Sequence, residues 1–317
     1  MKLKFTACAI ILASVSGFGQ KIDNTASFRD MNSDSYFRFN YDNDFFSSSD
    51  QYYTQGYNFE FASPRLKKNP LNFFLLRPES SAKKYILALE HIGFTPTSIL
   101  SDAILYGDRP FAAAIMLKSA IITTDTIHHS RLTTSINIGI IGPGAFGGDT
   151  QAVIHRWTGN PEPHGWQNQI KNDVVLNYEL FYEKQLLRIE RFASLQLNAT
   201  ARAGTLFTNA SVGFNSTVGI IGGPFSGHGK KFSCYIYAQP LVNVIGYDAT
   251  LQGGIFNRKS PYTIPDSDIE RLTAQINFGA VITFRQMFLE YSRVKITREF
   301  STGSPAKWGG IKIGVKL

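Results

Sequence analysis

The chain ends in WGGIKIGVKL, which puts Ile311, Ile313, Val315 and Leu317 on one face of an extended segment and Lys312, Gly314 and Lys316 on the other. Successive side chains of a strand point to opposite faces, so this pattern suits a wall with hydrocarbon on one side and a polar interior on the other. The same alternation recurs along the chain and predicts twelve strands, at 34–44, 52–63, 84–93, 111–124, 129–142, 168–184, 191–204, 208–221, 231–246, 268–283, 286–297 and 307–317. An even number is what single-chain outer-membrane barrels have. A secreted β-sandwich would alternate too. Strands longer than the usual five or six residues, with aromatics gathered near their ends, favour an all-β fold: a 12-stranded antiparallel transmembrane β-barrel.

Other membrane architectures fit poorly. Hydrophobic residues make up 43% of the chain and aromatics 13%, yet beyond the N-terminus they come in pieces broken at every second position. No run approaches the roughly 18 apolar residues of a helical span. The opening MKLKFTACAIILASVSGFGQ sets Lys2 and Lys4 before an apolar run and then small residues, which predicts a signal peptide over 1–20 with cleavage near Gly19 or Gln20. No linker divides the rest, so 21–317 is expected to form one outer-membrane barrel domain. Of the two cysteines, Cys8 leaves with the signal and Cys234 sits mid-strand without a nearby histidine, so neither a disulfide nor thiol catalysis is expected. The formal charge of +8 falls by two when Lys2 and Lys4 are removed. That excess fits solubility or attraction to phosphorylated lipid head groups. An exported chain without a basic cluster is not expected to bind nucleic acid.

With both termini in the periplasm, the connections after odd-numbered strands face outward. This places the Asx-rich stretch at 42–50, GDRPF at 107–111, the segment 142–167, the 251–267 loop and 299–308 on the outer side. Connections on the opposite side are short at 125–128, 185–190, 222–230 and 284–285. The 64–83 segment, SPRLKKNPLNFFLLRPESSA, is the exception.

The third outer loop, IGPGAFGGDTQAVIHRWTGNPEPHGWQNQI, predicts about two helical turns over DTQAVIHRW, with Asp149 or Thr150 as N-cap. Gln151 and His155 are four apart and share a face of such a helix. A helical histidine is commonly structural; at the outer rim, near Asn43, Asp44 and Thr54, it could instead be the general base of a hydrolytic site beside a carboxylate that binds a hard metal. Strand parity puts Asp44 with Arg38, Asn40 and Asp42, and Asn43 with Phe37, Phe39 and Tyr41. The pair would then straddle the wall unless a bulge intervenes. Ordinary turn chemistry, with Asx side chains capping the backbone, also explains Asn43 and Asp44. The remaining histidines lack zinc-ligand spacing, and no G-x-S-x-G elbow, phosphate-binding loop or CxxC occurs.

These motifs, in this order, resemble the outer-membrane lipid A 3'-O-deacylase family, LpxR. The resemblance is carried by Asn43–Asp44 followed by YTQG at 53–56, GDRPFA at 107–112, IGPGAFGGDTQAVIHRWTG at 141–159, GWQNQI at 165–170, ATLQGGIF at 249–256 and EFSTG at 299–303. It implies a twelve-stranded barrel that removes the 3'-linked acyloxyacyl chain of lipid A or lipopolysaccharide in a Ca²⁺-dependent reaction, at a site between the outer rim and a helical loop. The corresponding residues are His155, Asn43, Asp44 and Thr54, with Gln151 as a polar partner and Asp44 and Asn43 as metal ligands. A glutamate that some members carry six residues after the histidine is Pro161 here, with Glu162 adjacent, and the chain ends on Leu317 rather than an aromatic. A monomer is expected. A phospholipase-like esterase using the same residues, and a non-catalytic barrel acting as pore or surface binder, are the alternatives.

Overall fold

The computed structural model describes residues 26–44, 51–79, 82–223, 225 and 232–317. The expected signal peptide, Asp50 and His228 lie outside these residues.

The alternating segments pair in sequence order and close: twelve antiparallel strands form one barrel in which β1 (Tyr36–Asn43) completes the circle against β12 (Ala306–Lys316). The others are β2 (Tyr52–Ala62), β3 (Ala82–Thr95), β4 (Ala112–Asp125), β5 (Ser130–Ile141), β6 (Asp173–Ile189), β7 (Ala193–Gly204), β8 (Phe207–Ile220), β9 (Phe232–Asp248), β10 (Leu272–Phe284) and β11 (Met287–Ile296). Every expected strand is present. The largest shift is β6, which begins at Asp173 instead of 168 because Trp166–Asn168 forms a 3-10 turn and Ile170 N–H bonds the Phe111 carbonyl. No helix among the described residues is long and apolar enough to cross a membrane.

Outward positions carry exposed Phe37, Phe59, Leu89, Leu117, Val212 and Ile282, the surface a hydrocarbon solvent requires. Cys234 is also exposed, near the start of β9. Inward positions are polar and buried. Arg38 Nη2 meets Glu60 Oε1 at 2.8 Å, and Glu290 Oε1 takes Lys312 Nζ at 3.1 Å and Arg29 Nε at 3.3 Å. Such charges persist away from water because each has an opposite partner.

Residues 26–31 enter this lumen, which the sequence pattern did not foretell. Phe28 packs at a tilt against Tyr237 with ring centroids 4.3 Å apart, Ser27 N–H donates to Glu183 Oε2 at 2.7 Å, and Asp30 pairs with Lys84 and Arg131. Toward the outer end, Tyr53, Ile92, Phe94 and Trp308 form an apolar filling. A lumen packed this way at both ends argues against the pore reading.

Candidate active site

Two residues of β2 break the alternation. Tyr52 adopts a positive φ of 71°, and the β2–β3 register shifts between Tyr53 and Gln55, making Thr54 the extra residue of a β-bulge. Below the bulge Tyr57, Phe59 and Phe61 point out; above it Tyr53 turns inward, 4.7 Å from the Trp308 ring. The bulge turns Thr54 toward the same side of the wall as Gln55, while β1 pairs without a break through Asn43.

The third outer loop folds down against the barrel exterior. Its helix α1 (Gly147–Thr158) begins two residues before the expected start and is N-capped by Phe146 in a left-handed conformation, not by Asp149 or Thr150. Asp149 sits in the first turn, where its charge complements the helix dipole, and Thr150 Oγ1 donates to the Phe146 carbonyl at 2.8 Å. Gly159, with φ 72°, ends the helix in the conformation that glycine favours. Gly147 is needed for a different reason: a Cβ there would press on Ala113 and come within 2.7 Å of the Trp166 ring.

Polar groups in otherwise lipid-facing rows hold this loop. Gln55 Nε2 donates to the Gly147 carbonyl at 3.4 Å. His91 is fully buried although Leu89 beside it in the same outward row is exposed; its Nε2–H donates to the Ala145 carbonyl at 3.0 Å and its ring stacks on Tyr57 at 4.7 Å. Because a carbonyl only accepts, Nε2 carries the proton. Sequence alone does not single out His91 and Trp166 for this role. A histidine in an apolar outward row was the available signal for the former, and the Trp166 within GWQNQI for the latter.

At the centre, three predicted residues meet. Gln151 Nε2 donates to Thr54 Oγ1 at 3.1 Å, while Gln151 Oε1 accepts from Trp166 Nε1 at 2.7 Å. Asn43 Nδ2 donates to the Thr54 carbonyl at 2.6 Å and to the Tyr41 hydroxyl at 3.1 Å. Both amide protons are therefore engaged, and Asn43 serves the hairpin through its nitrogen. His155 lies one helical turn, about 5.4 Å, beyond Gln151 on the same buried face. Its Nδ1–H donates to the Pro161 carbonyl at 2.6 Å. This bond fixes the tautomer, so that neutral His155 presents Nε2 as a proton acceptor. A main-chain oxygen at 161 thus orients the imidazole; Glu162 instead pairs with Arg156 at 3.3 Å in the open. Asp44 is buried and accepts the Gln51 N–H at 2.7 Å across the hairpin turn, the bond expected of ordinary turn chemistry.

Among the described residues no group of three or more His, Cys, Asp or Glu could hold a metal ion. The predicted site residues offer one carboxylate, that of Asp44, with side-chain amide oxygens, a hydroxyl and main-chain carbonyls. An all-oxygen set of low charge suits a hard cation of loose geometry, such as calcium, and not zinc.

The other recurring motifs serve a separate purpose. Arg109 of GDRPFA is buried, lies over Phe94 with its guanidinium carbon 4.2 Å from the ring centroid, and bonds both Glu299 of EFSTG and Thr250 of ATLQ. They clamp the outer loops over the lumen. Burial, opposed by Arg109, raises the Glu299 carboxyl to about 7. Two luminal cavities, about 60 and 50 Å³, are lined without any predicted site residue.

No curated protein matches the sequence. Among solved structures, LpxR from Salmonella typhimurium superposes with a TM-score of 0.74 at 19% identity, covering 89% of this chain and all of that one. A TodX deltaS2S3 mutant monoaromatic hydrocarbon channel aligns at a TM-score of 0.39 and 7% identity, over 95% of this chain and 94% of that one. The sequence matches the family described as outer membrane protein LpxR over residues 5–317. By that match over nearly its whole length, the chain belongs to the LpxR family of the outer membrane.

Proposed function

We propose that this protein is a lipid A deacylase that hydrolyses the 3'-linked acyloxyacyl ester in a calcium-dependent reaction. One observation carries the reading: the helix bearing His155 is docked through Gln151 and Thr54 on the exterior of the wall at its outer end. An enzyme whose substrate is embedded in the outer leaflet needs its polar groups on that side. His155 Nε2 takes a proton from water as the water oxygen attacks the ester carbonyl, and returns it to the departing alkoxide. The Pro161 carbonyl holds the imidazole in the tautomer that this requires. Thr54 and Gln151 keep helix and hairpin in register, and Asn43 ties the bulge to β1. Asp44, with the side-chain oxygen of Asn43, would hold a calcium ion, whose chemistry there is Lewis-acid polarisation of the ester carbonyl.

Mass spectrometry of lipid A from cells expressing the protein tests this. Loss of the 3'-linked chains is expected with the native sequence, and on the order of 10²- to 10⁴-fold less with His155→Ala. An unchanged acylation pattern in both would overturn the reading. Fatty acid release from phospholipid but not from purified lipid A would replace it with a phospholipase.

A further inference from the structure

The long β2–β3 connection is a built element of the exterior wall. Residues 64–79 run through two 3-10 turns, Pro64–Lys68 and Pro70–Phe74, each opened by proline and capped by the preceding side chain, Ser63 or Asn69. The segment lies on outward-facing residues of β3 to β6. Leu75 packs in a cluster with Tyr85 and Ile121, flanked by Ile136 and Tyr178. Asn69 Nδ2 donates to Ser119 Oγ at 3.0 Å, Thr134 Oγ1 donates to the Leu76 carbonyl at 2.9 Å, and Leu76 N–H donates to the Tyr178 hydroxyl at 3.0 Å. Ser119 and Thr134 occupy the same outward rows as Leu117 and Ile138, and each is fully buried. Two hydroxyls in a lipid-facing row are tolerated because the arm covers them.

What the arm presents is split by chemistry. Phe73 is 80% exposed, Phe74 62% and Leu76 56%. Arg65, Lys67, Lys68 and Arg77 are exposed too, none has a salt bridge among the described residues, and Glu79 is the arm's one acidic residue. Strand direction puts the arm at the same end as the short 126–129 and 285–286 turns, the periplasmic end. Exposed aromatics beside uncompensated cations are the pattern of an interfacial segment whose apolar side chains enter the acyl region while its charges meet phosphate.

We infer that residues 64–79 form a lipid-binding arm that selects anionic phospholipid in the periplasmic leaflet, with Phe73, Phe74 and Leu76 among the acyl chains and Arg65, Lys67, Lys68 and Arg77 on the head groups. The arm is separate from the outer-rim site, and the assignment does not depend on the esterase reading.

The full chain, with its native cysteines changed to serine and Phe74→Cys carrying a bimane label, is refolded into phosphatidylcholine vesicles containing phosphatidylglycerol. Heat-dependent gel mobility confirms the folded barrel. In one preparation the phosphatidylglycerol carries brominated acyl chains, in the other an equal mole fraction of the phosphatidylcholine does. Quenching by the brominated anionic lipid is expected to exceed that by the brominated zwitterionic lipid on the order of threefold or more. The preference is expected to vanish with Arg65→Gln, Lys67→Gln and Lys68→Gln combined, and to be missing for a label at Phe214 on β8. Equal quenching by both lipids, or a preference that survives the triple substitution, overturns the selectivity. A label quenched by neither lipid overturns membrane contact altogether.

Discussion

The wall of the barrel differs on its two sides. Over β8 to β10 the outward rows carry Val212, Phe214, Val218 and Ile220, then Ile236, Val242 and Val244, then Ile282 and Phe284, all exposed, with half-buried Ser216 between Phe214 and Val218. Over β2 to β5 the corresponding rows contain Gln55, His91, Ser119 and Thr134, all buried. The difference is cover. Helix α1 and its flanking turns lie over the outer ends of these strands, and the 64–79 arm over their periplasmic ends. A fully buried polar group in a lipid-facing row is here a sign of something folded over it; Ser216, in the sector without such cover, is only half-buried.

That contrast can be broken most forcefully on the bare side. Val242→Arg puts a charge into lipid with nothing above it, and denaturant unfolding in bilayers should show a loss of about 2–4 kcal/mol. Gln151→Ala acts under the cover, leaving Thr54 Oγ1 and Trp166 Nε1 without that partner. Each buried orphan costs about 1–3 kcal/mol, but the loss falls on docking of the loop. Hydrogen exchange in α1 should rise and ester hydrolysis should drop, while the strands keep native protection. Gly147→Val should act in the same direction by wedging the helix off Ala113 and Trp166, again with barrel mobility on gels unchanged. The smallest change is expected from Ser119→Val, which removes one hydrogen bond from the arm and should cost about 1 kcal/mol. If Val242→Arg proved as mild as Ser119→Val, the distinction between covered and bare wall would fail.

Period-two alternation made the barrel legible, because a strand with lipid on one face and polar packing on the other leaves little freedom in the sequence. The loop helix was legible through Gln151 and His155, which lie one turn apart. Three features were not. The N-terminal plug at 26–31 has no alternation, since it is buried by being enclosed and not by pairing. The bulge at Thr54 is a register fact that depends on where β3 pairs, and nothing in YTQG marks it. The start of β6 is hidden because GWQNQI reads like a strand while its Trp166 is spent on Gln151 and its main chain on a 3-10 turn. Of the candidate site, Asn43, Thr54 and Gln151 are joined by direct bonds, His155 shares the docked helix face, and Asp44 is fixed by the hairpin turn.

The account rests on the docking of α1 against the first hairpin on the exterior of the wall. In a chain whose other cysteines are serine, Thr54→Cys and Gln151→Cys can be joined by a short bifunctional thiol reagent in intact outer membranes. We expect efficient intramolecular cross-linking of that pair, and little for Thr54→Cys with an exposed cysteine at Val153 on the opposite helix face. Single labelling at 54 and 151 with no cross-link between them would place the imidazole-bearing helix elsewhere and contradict the proposed site.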